Sequence, residues 1–156
     1  MEYMIHTDGG SRGNPGPSSC AAVLDRRMSP DHKWERVGTV SKYLGDALTN
    51  NIAEYNGLLL GLEFAVRQGA KSCKLYVKAD SELMVKQMLG IYKFKNLDLL
   101  KIAEGVFLGA AINGIILDFQ HIPREKNQEA DRLCNIEMDH HKVVKEFSDN
   151  LKAMGA

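Results

Sequence analysis

The chain has 156 residues, 44% of them hydrophobic and 26% charged, with Lys plus Arg equal to Asp plus Glu. That is enough for one globular domain with a full core and too short for two. A formal net charge of zero argues against a protein that coats nucleic acid through bulk electrostatics, but suits an enzyme that gathers carboxylates at one site and lysines elsewhere. Cys20, Cys73 and Cys134 are widely spaced and odd in number, so free buried thiols in a reducing compartment are expected. With neither a basic-then-apolar leader nor an apolar run of membrane-spanning length, a cytoplasmic protein is expected.

Tyr3, Ile5 and Thr7 alternate with Met4, His6 and Asp8, which predicts a strand ending at Asp8. Gly9, Gly10, Gly13, Asn14, Pro15 and Gly16 then predict a turn. Ser19 to Leu24 and Trp34 to Tyr43 read as two more strands of an antiparallel meander, joined by a polar turn around Ser29-Pro30-Asp31. From Ile52 to Gln68 the pattern is helical, with Gly57 and Gly61 on a face suited to close packing on a sheet. Cys73 to Ala79 predicts a strand, Ser81 to Leu89 and Asn96 to Ala111 predict helices, and Ile115 to His121 the last strand. Asn127 opens a long helix whose apolar spacing runs through Ala130, Cys134, Met138, Val144, Phe147 and Leu151. The order β-β-β-α-β-α-α-β-α predicts an α/β domain, a mixed sheet with helices packed on it.

Four acids fall where such a fold can collect side chains from distant segments. Asp8 ends the first strand, Glu54 lies in the first turn of the long helix, Asp80 follows the fourth strand, and Asp131 begins the last helix. Each has a plainer role open to it. Asp80 suits an N-cap, Glu54 a capping box with Asn51, and Asp131 a partner to the helix dipole. Asp8 is harder to assign to local structure, because a carboxylate ending a core strand needs a partner. Brought together, the four would repel one another, and hard divalent cations relieve that repulsion. Two such ions about 3.5–4 Å apart are suited to phosphodiester cleavage.

The motifs are similar to those of type 1 ribonucleases H. Thr7-Asp8-Gly9-Gly10-Ser11 with Gly13-Asn14-Pro15-Gly16 resembles the family's opening motif, and Thr49-Asn50-Asn51-Ile52-Ala53-Glu54 its second. Asp80-Ser81 resembles the third and Asn127-Gln128-Glu129-Ala130-Asp131 the fourth, so the likeness runs in order from about residue 2 to residue 140. It implies a ribonuclease H-like fold: a five-stranded mixed sheet, strands one to three antiparallel and the last two parallel to the first, with helices on both faces. It implies that Asp8, Glu54, Asp80 and Asp131 hold two Mg²⁺ ions, with Mn²⁺ as substitute. The reaction implied is hydrolysis of the RNA strand of an RNA–DNA hybrid, leaving 3′-hydroxyl and 5′-phosphate ends. Gly9 and Gly10 would bring backbone amides to the RNA minor groove, where 2′-hydroxyls are displayed. Asn14, Asn50 and Asn51 match positions that contact the hybrid, and Thr49 one that holds a DNA phosphate. As turn former and helix caps, these same residues also have ordinary roles.

Departures from the family pattern set further expectations. The segment between the last strand and last helix is short, leaving both His121 and Arg124 as candidates beside the scissile phosphate, with Arg124 favoured. A basic protrusion found in some relatives is missing. Lys86, Lys93 and Lys95 with Tyr92 and Phe94 form either a reduced substrate ridge or a solvated loop over two buried aromatics. Glu82 is placed to tune substrate or metal preference. The first motif begins at residue 7, so no N-terminal hybrid-binding domain is expected. His140 and His141 are read as surface residues, because adjacent helical side chains diverge. Residues 1–141 are expected to form the catalytic domain. Residues 142–156 would be a helical tail packing on the sheet or on a partner. A monomer is expected. The competing readings are a non-catalytic hybrid- or RNA-binding module and a nuclease that also cuts double-stranded RNA.

Overall fold

The first three strands of the chain are β1 (Glu2–Ser11), β2 (Gly16–Arg27) and β3 (Glu35–Leu48). They pair antiparallel in sequence order. The helix α1 (Asn50–Arg67) then leads to β4 (Lys74–Ala79), and α2 (Glu82–Met88) and α3 (Leu97–Ile112) precede β5 (Ile116–His121). A 3₁₀ turn (Arg124–Lys126) opens into the last helix, α4 (Gln128–Ala153). This is a computed structural model and describes residues 1–155; Ala156, the end of the expected tail, lies outside the described residues. The sheet has five strands in the order β3-β2-β1-β4-β5, with β4 parallel to both β1 and β5. The expected mixed sheet and its strand directions are therefore present.

Alternation along β1 sorts its side chains between two layers. Tyr3, Ile5 and Thr7 face α1, where Gly61 lies so close that a Cβ would come 2.9 Å from Ile5 Cδ1. This layer holds the main core, including Leu24, Leu58, Leu62, Leu75, Val77, Met84 and Val106, all essentially inaccessible. Burying one such side chain contributes about 1.5–3 kcal/mol. On the other face α4 covers β1 to β3 through Ala130, Cys134 and Met138. Ser19 Oγ donates to the Cys134 carbonyl at 2.6 Å and Ser41 Oγ to Glu137 at 2.8 Å, fixing the helix across the strands.

Three expectations need correction. Asp8 does not end β1, because the strand continues through Gly9, Gly10 and Ser11 against Cys20, Ser19 and Ser18. The glycines extend the ladder, and the turn begins at Arg12. The apolar spacing of α4 is present but is not all core: Val144, Phe147 and Leu151 are 50%, 65% and 42% exposed. A helix of 26 residues runs about 39 Å, whereas five strands span roughly 20 Å, so α4 outruns the sheet and the tail does not pack on it. His141 is not a free surface residue. Its ring stacks on Tyr43 with centroids 3.6 Å apart and its Nε2 lies 3.6 Å from Asp46, tying α4 to β3.

Candidate active site

Asp8 lies at a break in the sheet. The pairing of β1 with β4 stops at Thr7 and Ala79, while its pairing with β2 continues through Asp8 and beyond. A notch therefore opens at the carboxyl ends of β1 and β4, the place where ligands bind in sheets of this kind. Asp8 faces it from β1 and Asp80 from the end of β4.

Glu54 arrives by close helix–strand contact. A Cβ on Gly9 would fall 2.1 Å from the Ala53 carbonyl oxygen, and one on Gly57 would fall 2.4 Å from the Asp8 carbonyl oxygen. Only with glycine at both positions can α1 lie against β1, bringing its Glu54 turn beside Asp8. The helix is capped by Thr49, whose Oγ1 accepts from Ile52 N–H at 3.3 Å. Asn51 is thus not the cap, no capping box forms, and Glu54 lies beyond the first turn.

Asp80 is equally free of a capping duty. Ser81 caps α2 by accepting from Met84 N–H at 3.2 Å, and its hydroxyl donates to Glu54. Asp131 sits in the first turn of α4, where the helix dipole favours it, and its N–H donates to the Asn127 carbonyl at 3.2 Å. The four acids, with Gly9, Gly10, Arg12, Asn50 and Arg124, line one pocket of about 430 Å³.

The crowding shows in their acidities. Burial, then the charges of Asp80, Asp131 and Glu54, push Asp8 up to about 8, against the pull of the Gly9 N–H. Burial and Asp80 push Glu54 up to about 7, with the Ser81 hydrogen bond opposing. Asp80 is also raised, chiefly by burial, while Arg124 and Asn127 hold it down. Among the described residues no three His, Cys, Asp or Glu side chains are gathered closely enough to hold a metal ion as they stand. The four acids instead offer carboxylate oxygens along an open cleft that they share with Asn50, Arg12, Arg124 and Cys134. That suits Mg²⁺, which keeps several waters and takes few carboxylates.

Of the two candidates near the scissile position, Arg124 lines the pocket, its Nη2 3.8 Å from Asp131 Oδ1, and is 81% exposed. His121 lies outside it, with Nε2 3.2 Å from the Asp80 carbonyl oxygen. Glu82 points away to Lys86, at 2.6 Å. Asn50 Oδ1 accepts from Ser11 N–H at 2.8 Å, and Asn14 Oδ1 from Asn50 N–H at 3.0 Å, so these residues brace the end of β1 against α1.

Asn14, Thr49 and Asn51 line a neighbouring groove of about 660 Å³ with Tyr92, Lys93 and Lys95. Tyr92 is exposed and Lys86 Nζ lies 5.0 Å above its ring, whereas Phe94 is half-buried against Tyr55. The loop is therefore a ridge carrying one exposed aromatic, not a cover over two buried ones. Gln87 holds it, accepting from Tyr55 OH at 2.7 Å and donating to the Lys93 carbonyl at 3.2 Å.

Two residues of the site went unassigned in the sequence. Arg12 lines the pocket mouth, with Nη1 2.7 Å from Asp139 and Nη2 3.2 Å from Asn135 Oδ1, so it joins the β1 turn to α4. Asn127 is buried beneath the carboxylates. Arg12 beside a glycine turn carries no periodic signal, and Asn127 reads as a helix cap.

A family described as reverse transcriptase-like matches residues 6–137. The bifunctional protein Rv2228c of Mycobacterium tuberculosis is 41% identical over 140 residues, 89% of this chain and 36% of that protein. The solved N-terminal RNase H domain of Rv2228c is 38% identical with a TM-score of 0.78, covering 92% of this chain and 98% of that one. LC11-RNase H1, isolated from compost and solved in complex with an RNA/DNA hybrid, is 36% identical with a TM-score of 0.81, covering 90% and 99%. Ribonuclease HI of Halobacterium salinarum is 35% identical over 136 residues, 85% of this chain and 62% of that protein. The chain thus spans about a third of the length of the first curated relatives it matches.

Proposed function

The chain belongs to the type 1 ribonuclease H family, and from that premise we propose that it hydrolyses the RNA strand of RNA–DNA hybrids. The observation that carries the proposal is the convergence of Asp8, Glu54, Asp80 and Asp131 on one notch, where burial and mutual repulsion raise the pKa values of three of them. Crowded carboxylates at a sheet's carboxyl end, only partly offset by Arg124, make a site that attracts divalent cations.

Asp8, Glu54, Asp80 and Asp131 would hold two Mg²⁺ ions, with Mn²⁺ as substitute. Such a pair, when bound, supplies an activated water and charge stabilisation for the leaving oxygen, giving 3′-hydroxyl and 5′-phosphate ends. The protein's own groups do the rest. Gly10, with open space where a side chain would stand, admits the RNA backbone to the pocket mouth. Arg124 reaches in from an exposed position to bind a phosphate beside Asp131. Asn14, Thr49 and Asn51 with Lys93 and Lys95 receive the DNA strand in the adjoining groove. His121 is placed to steady Asp80 through its carbonyl, and Glu82 to orient Lys86 at the groove's edge. Residues 1–141 form the catalytic unit, acting as a monomer in the cytoplasm. No helix among the described residues is long and apolar enough to cross a membrane.

The test is cleavage of end-labelled RNA as hybrid, single strand, RNA duplex and a DNA duplex bearing one ribonucleotide, with Mg²⁺, Mn²⁺ or EDTA. Internal cuts in the hybrid RNA, lost with EDTA and in Asp8→Asn, are expected. Hybrid binding without cleavage in either metal would leave a binding module, and equal cutting of RNA duplex would broaden the substrate class.

A further inference from the structure

Asn127 precedes α4 yet does not cap it, although asparagine is among the best capping residues. Its side chain is turned inward and is 2% exposed. Nδ2 donates to the Thr7 carbonyl at 2.9 Å, anchoring the strand residue next to Asp8. The Asn127 carbonyl accepts from Asp131 N–H at 3.2 Å, at the start of α4. One residue therefore ties together two of the four acid-bearing segments, the end of β1 and the start of α4.

Its own accounts are not balanced by local structure. Asn127 Oδ1 has no hydrogen-bond partner among the described residues, and neither does the buried Thr7 Oγ1. An unpaired buried acceptor destabilises a fold, so helix capping does not explain this amide, and the Thr7 contact accounts for its Nδ2 but not for its buried Oδ1. We infer that Asn127 is a positioning residue for the carboxylate site, holding the Asp8 end of β1 and the Asp131 start of α4 in the spacing that divalent ions require. Groups that orient metal ligands commonly govern affinity as strongly as this demands. The inference rests on the four carboxylates being the metal ligands.

The full chain is compared with Asn127→Ala and Asn127→Ser, the latter offering α4 the side-chain cap that Asn127 withholds and so preserving the fold. Mg²⁺ binding is measured by calorimetry, folding by thermal melting, and hybrid cleavage by steady-state kinetics. Expected in both variants is Mg²⁺ affinity and kcat lowered about 10–100-fold, with KM for the hybrid nearly unchanged. Folded variants with wild-type Mg²⁺ affinity and kcat would overturn the inference and reduce Asn127 to a fold element. An Asp8→Asn control separates the underlying reading. If wild-type protein shows no Mg²⁺ binding that Asp8→Asn abolishes, the carboxylate reading itself fails, and the inference with it.

Discussion

The carboxylate pocket and the groove beside it meet at the N-terminus of α1 but differ in what holds their walls. The pocket's acids come from two strands and two helices whose positions the core dictates, and glycines at 9 and 57 set the approach of α1 to within backbone contact. The groove's far wall is the segment 90–96, outside any helix or strand, held by the Gln87 relay and carrying exposed Tyr92, Lys93 and Lys95. One region concentrates like charge in fixed geometry, at a cost to the metal-free fold. The other spreads cationic and aromatic groups along an exposed edge at little such cost. Chemistry is expected from the first and strand capture from the second.

Changing one acid should separate the two most sharply. Asp80→Asn is expected to lower kcat by about three orders of magnitude, because charge stabilisation worth several kcal/mol is lost, while KM for the hybrid stays within about threefold. A large rise in KM with kcat preserved would show that the pocket serves binding.

The pH dependence of stability sharpens the contrast further. Asp8 and Glu54 titrate at about 8 and about 7 in the fold, against ordinary values of 3.8 and 4.5. Between those limits the folded protein keeps protons that the unfolded chain has released, so stability falls as pH rises through the window and levels off above it. In EDTA, thermal melting is expected to drop by several degrees from pH 5 to pH 8, and Asp8→Asn to flatten that slope. Mg²⁺ should restore the wild-type melting temperature at pH 8. A wild-type slope equal to that of Asp8→Asn would remove the electrostatic account.

Replacing the groove's lysines should have the smallest effect, and on the other parameter. Lys93→Ala with Lys95→Ala is expected to weaken hybrid binding about tenfold and to lower the salt slope of binding by about two, leaving kcat intact. An unchanged salt slope would place the DNA strand elsewhere.

Local pattern made most of the fold readable. The alternation of Tyr3 to Asp8, the meander that follows, and the glycine face of α1 appear in the structure as the residues imply. Boundaries shifted where a partner strand prolonged the ladder, as at Gly9 to Ser11 and at the end of β3. The apolar stripe of α4 foretold a helix and overstated its burial, because periodicity records a face without saying how far the sheet beneath it extends.

The identities and order of the four acids belong to the sequence, as do the glycines and turn residues that let strands and helices start where they do. Their shared notch does not, because it depends on β4 ending one residue short of Asp8 and on α1 touching β1. Tertiary structure also assigned the caps to Thr49 and Ser81, leaving Glu54 and Asp80 unspent. It turned Asn127 inward and docked His141 on Tyr43. The physical reason is common to all of these. Hydrophobic period and backbone propensity act over a few neighbouring residues, whereas a carboxylate's acidity or an amide's partner is set by groups a hundred residues away that only packing brings within reach.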